Sequence, residues 1–103
     1  MSNEELYATG VFEGEGSIVT LKHAHSVALV VSMTDLDVLQ RLQNVWGGTI
    51  YARKQQNPKW KPAWRWQLGK KNLVYQVLEA MLPYLGERRA CKALDALDHL
   101  DKC

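Results

Sequence analysis

The chain has 103 residues, 47% of them hydrophobic, with 13 basic and 11 acidic side chains and a formal net charge of +2. That length suits one domain, 1–103, with a single modest core, and the apolar fraction excludes disorder. There is no apolar run of the roughly 18 residues a membrane span needs, no basic leader, and no CxxC pair at Cys91 or Cys103, so the reading is an intracellular protein, cytoplasmic or organellar, with no membrane partner.

In chain order, Ser2 stands three residues before Glu5, the spacing of a capping box, so a helix starts there and runs through LYATGVFEG until Gly16 ends it. Gly10 and Gly14 are four apart and share a face of that helix. Each costs roughly 1 kcal/mol relative to alanine, and close approach of a second helix is the expected offset. SIVTLK (17–22) is strand-like, HAHS is a turn, and VALVVSM (27–33) is a second strand apolar enough to be largely buried. His23 and His25 lie two apart without a third ligand nearby, so phosphate contact or an idle turn is the reading, not a metal site.

Thr34 with Asp37 reads as another capping box, followed by the helix LDVLQRLQNVW, whose Leu36, Val38, Leu39, Leu42, Val45 and Trp46 form an apolar stripe. Gly47-Gly48 stops it. TIYARKQ (49–55) and AWRWQLG (63–69) then form a hairpin around QNPKWKP. Trp64, Trp66 and Leu68 fall on one face of it; Arg65 and Gln67 fall on the other, with Tyr51, Arg53 and Gln55 on the partner strand. Asn72 reads as the cap of NLVYQVLEAML, Pro83 interrupts, and after Gly86 a last helix turns Ala90, Ala93, Leu94, Leu97 and Leu100 inward. The predicted order is αββαββα, an α+β chain.

Charge is unevenly spread. Residues 1–21 carry four acids and no base, whereas residues 49–71 carry seven bases and no acid. Such a basic block attracts polyanions, nucleic acid above all; the plain alternative is a solvated, lysine-rich hairpin.

The stretch ATGVFEGEG (8–16) resembles the nine-residue motif of the LAGLIDADG homing endonucleases. Gly10 and Gly16 match its glycines, Gly14 its small position, and Glu13 and Glu15 its two acids; MLPYLGERRA (81–90) resembles the family's C-terminal segment. The resemblance implies a four-stranded antiparallel, saddle-shaped sheet backed by helices. It implies a homodimer packed through the motif helices at Thr9, Gly10, Glu13 and Gly14. Its function would be site-specific hydrolysis of double-stranded DNA with a pseudo-palindromic target. By resemblance Glu15, with the Gly14 carbonyl, binds Mg²⁺ or another divalent metal, and Arg88 is the basic catalytic residue, with Arg89 and Lys92 open as neighbours. Glu13 is expected to cap or hydrogen-bond, without binding metal. The saddle would present Tyr51, Arg53, Gln55, Arg65 and Gln67 to base edges, Lys54 and Lys61 to phosphates, and Ser17, His23 and Ser26 from the first hairpin.

Two departures stand out. Met33, with Ser32 beside it, occupies the end of the second strand, where the family commonly has a polar residue that positions metal-bound water. By parity, the first hairpin offers the groove mainly Val19, Leu21, Ala28 and Val30. A second reading is therefore a non-catalytic nucleic-acid binder on the same fold, an RNA maturase or DNA-binding regulator.

Overall fold

The computed structural model describes residues 2–21, 26–53, 59 and 62–101. All of the expected turn at 23–26 but Ser26, and most of the loop after residue 53, lie outside them, and with them His23, Lys54, Gln55 and Lys61. The elements are α1 (Asn3–Glu15), β1 (Gly16–Leu21), β2 (Ser26–Met33), α2 (Leu36–Trp46), β3 (Thr49–Ala52), β4 (Trp64–Leu68), α3 (Lys71–Met81), a 3-10 turn at Leu82–Tyr84, and α4 (Glu87–Asp101). The two helical segments expected on either side of Pro83 are α3 and α4, joined by the 3-10 turn. Among the described residues no helix is long and apolar enough to cross a membrane.

The strands form one antiparallel sheet in the order β1-β2-β4-β3, and the helices pack against one of its faces. Strand parity puts Ile18, Leu29, Val31, Trp66 and Leu68 on the helix side, where they join Phe12, Leu39, Leu42, Leu78 and Met81 in the core. Trp66 is wholly buried, and its Nε1–H donates to the Gly47 carbonyl at 2.8 Å, which satisfies a group that would be costly to bury unpaired. That contact depends on the Gly47-Gly48 stop, whose φ values of 80° and 93° favour glycine.

α1 begins as expected. The Glu5 N–H donates to Ser2 Oγ and the Ser2 N–H to Glu5 Oε1, both at 3.2 Å. Three local expectations need correction. α2 starts from Asp35 with no side-chain cap bond, so Thr34 and Asp37 form no capping box. α3 starts from Lys70, which leaves Asn72 inside the first turn and not at the cap. On α4 the 3.6-residue period buries Ala93, Ala96 and Leu100, and leaves Leu94 53% exposed.

Candidate nucleic-acid interface and acid site

Gly16 is the joint between α1 and β1. A Cβ there would stand 2.6 Å from the Phe12 carbonyl oxygen and closer still to its ring, so only glycine lets the chain pass from helix to strand at this point. Gly10 and Gly14 are different. A Cβ on either would meet nothing within 4 Å, and both residues are exposed. Leu6 lies on the same i, i+4 ridge and is 43% exposed. Among the described residues no close packing of the same chain offsets the helical cost of these two glycines.

Thr9 does not share that ridge. One residue from Gly10, it is turned about 100° around the helix into the core; it is buried, and its hydroxyl donates to the Glu5 carbonyl at 2.7 Å. Glu13 also leaves the expected dimer face and turns to its own chain. Its Oε1 accepts from the Gly86 N–H at 3.0 Å, and its Oε2 lies 3.7 Å from Arg89 Nε. Glu13 therefore has a within-chain hydrogen-bonding role.

Arg89 is the tie between α4 and the end of α1. Its Nη1 donates to the Phe12 carbonyl at 2.9 Å and to the Gly16 carbonyl. The last carbonyls of a helix lack donors of their own. Here no base occupies the last turn of α1, and a side chain 77 positions on from Phe12 takes that place. Sequence spacing carries no signal for such a long-range cap. Arg88, by contrast, is exposed and lines a pocket of about 380 Å³ beside the α1–β1 joint, together with Lys92, Ser17 and Glu87.

Glu15 is the final residue of α1 and is exposed. Among the described residues, no side chain bonds or pairs with its carboxylate. The C-terminal end of a helix carries partial negative charge, so an acid there is mildly unfavourable. Glu15 and the Gly14 carbonyl are both hard oxygen donors, the class that Mg²⁺ and Ca²⁺ take. No group of three His, Cys, Asp or Glu residues is gathered among the described residues, so one chain alone supplies a minority of such an ion's six oxygens.

The outer face of the sheet continues from this point. Register sets Ser17, Val30, Gln67 and Thr49 in one row across it, and Ser32, Arg65 and Tyr51 in the next. Tyr51 is 51% exposed, Arg65 and Arg53 are exposed, and Gln67 and Ser26 are half-buried. These predicted contact residues therefore share one surface, with no acid among its described side chains. Met33 falls on the opposite side, across from Trp64 and packed against the core; the polar outer place beside it belongs to Ser32.

No protein-family model matches the chain, and no curated protein matches it. Solved structures do. The homing endonuclease I-CvuI, in complex with its target in the presence of Ca, superposes with a TM-score of 0.69 at 22% identity, over 96% of this chain and 68% of that one. The homing endonuclease I-TnaI gives 0.65 at 16% identity, over 93% and 70%. A double mutant of I-SmaMI gives 0.69 at 16% identity, over 98% of this chain but 37% of that one. The chain thus spans about two thirds of the first two and little more than a third of the last. With its four-stranded antiparallel sheet, motif helix and backing helices in the same arrangement, the chain has the fold of the LAGLIDADG homing endonucleases.

Proposed function

We propose that this chain is one half of a homodimeric, divalent-metal-dependent endonuclease that cuts double-stranded DNA at a specific, pseudo-palindromic site. The observation that carries the reading is Glu15, an exposed acid that no described side chain bonds or pairs with, at the unfavourable end of its helix and at the rim of a sheet face with no acid among its described side chains. The open ridge of Leu6, Gly10 and Gly14 supports pairing of two motif helices about a two-fold axis. I-CvuI, solved with its own target in the presence of Ca and with the uncleaved I-CreI target in the presence of Mg, supports a DNA partner and a divalent ion.

Each residue then has a stated task. Glu15 and the Gly14 carbonyl of each subunit would hold the ion. When bound, it would supply Lewis-acid chemistry, activating water and offsetting charge on the leaving 3′ oxygen. Arg88 and Lys92, in the pocket beside the joint, offset the phosphate charge. Arg89 fixes the α1–β1 joint, so Glu15 is held where the two subunits meet. Arg65, Gln67, Tyr51 and Arg53 face base edges and backbone in the major groove, which admits such a strand pair.

The test is cleavage of a randomised duplex library in Mg²⁺, with Glu15→Gln as control. Near-palindromic cut sites that vanish in the variant bear the proposal out. Duplexes retained but left uncut by the parent would overturn catalysis and leave the non-catalytic binder. Retention without any dependence on salt would overturn nucleic-acid binding through this face.

A further inference from the structure

The outer face of the sheet is chemically divided. On β3 and β4 it carries hydrogen-bonding and cationic groups, among them Arg65 and Gln67. On β1 and β2 its middle is apolar, with Val19 paired to Ala28, and Val30 between Ser17 and Gln67. Ala28 and Val30 are each 8% exposed, yet neither belongs to the core cluster, so neighbours in the sheet cover them and not the helices. Val19 and Leu21 are 37% and 50% exposed. Large branched side chains on a face that no helix covers are not required by the fold.

Resting on the DNA reading above, we propose that β1 and β2 recognise thymine through its C5-methyl group, so that each half-site is read in two modes. Hydrogen bonding serves under β3 and β4, and methyl contact serves under β1. Val19 and Leu21 can neither donate nor accept, and the C5-methyl of thymine is the one apolar feature that a base edge shows in the major groove. A second copy of this face is the poorer occupant, because it would set the cations Arg53 and Arg65 against like charge. Along a strand Val19 and Leu21 are about 6.7 Å apart, close to two base-pair steps of ~3.4 Å. The recognised thymines therefore lie two pairs apart, on either strand.

The test needs binding only, without metal. Duplexes retained from a random library are resynthesised with dU for dT at single positions, and competition for the protein is measured. At two positions per half-site, two pairs apart, dU should weaken binding about fourfold, the worth of one buried methyl. Val19→Ser should erase the dT/dU difference at one of them and Leu21→Asn at the other. Thymine sensitivity that is absent throughout, or that survives in the double variant, overturns the proposal while the DNA reading stands. If no duplex is retained, the DNA reading fails and this inference fails with it.

Discussion

Replacing Arg89 by alanine tests the joint on which the proposed site depends. Two interactions are lost. The first is the pair of bonds from Nη1 to the Phe12 and Gly16 carbonyls. A charged donor in a well-buried bond contributes about 1.5–3 kcal/mol. Here both bonds share one nitrogen on a side chain 26% exposed, which brings the pair to about 2 kcal/mol. The second is the 3.7 Å ion pair with Glu13, itself 37% exposed, where solvent screening leaves less than about 1 kcal/mol. The carbonyl bonds therefore dominate. Arg89→Ala should cost about 2–3 kcal/mol, or roughly 10–15 °C in melting temperature for a chain of this size. Arg89→Lys, a point donor without the fork, should recover only part of it. Glu13→Gln, which keeps an acceptor for the Gly86 N–H, should cost less than about 1 kcal/mol. Urea unfolding followed through Trp46 and Trp66 at fixed protein concentration measures all three. An Arg89→Ala variant within about 0.5 kcal/mol of the parent, or a Glu13→Gln loss equal to it, would refute the reasoning.

Gly10→Ala and Gly14→Ala should each stabilise the isolated subunit by about 0.5–1 kcal/mol, since the added methyl meets nothing. Both should weaken self-association in sedimentation, and an unchanged dimer would show that the helices do not meet there. Gly48→Ala should cost about 2 kcal/mol or more in a thermal melt, because its φ is +93° and a Cβ would stand 2.7 Å from the Gln67 carbonyl oxygen. Bonds from the Ser2 backbone and hydroxyl hold the Glu5 carboxyl below the usual range, and the Arg41 guanidinium does the same for Glu4. Both folded pKa values are depressed, so their stabilisation is complete above the unfolded value of about 4.3 and is lost as pH falls through the lower folded ones. Glu5→Gln should flatten that acid limb of an unfolding-against-pH series.

Local signals in the chain were legible where they were local in cause. The Ser2–Glu5 box, the Gly47-Gly48 stop and the alternation of Trp64, Trp66 and Leu68 against Arg65 and Gln67 all appear where spacing puts them. The caps at Thr34 and Asn72 misled because spacing supplies a possible bond, while the chain's path decides whether the side chain reaches it. Thr9 and Leu94 misled by one helical position each, which is a 100° turn. Arg89 and Gly86 were harder to see. Their roles arise only when α4 is laid across the end of α1, a contact between residues more than 70 positions apart. The motif offers two acids, and the fold treats them differently: Glu13 is bonded within the chain and Glu15 is exposed.

That division is the strongest argument about Glu15. The chain's first 21 residues hold four glutamates and no base. Glu4 and Glu5 sit in the first turn of α1, where the helix dipole favours them, and both are bonded. Glu13 is spent on Gly86 and Arg89. Glu15 has the same chemistry at the opposite, disfavoured end, and among the described residues no side chain bonds or pairs with it. A residue kept for stability should destabilise when neutralised; one kept for chemistry should not. Glu15→Gln should therefore leave unfolding free energy equal to the parent's or raise it by a few tenths of a kcal/mol, while abolishing cleavage. A loss above about 1 kcal/mol would mean that Glu15 holds the fold together, and the case for an acid reserved for metal and phosphate would lose its foundation.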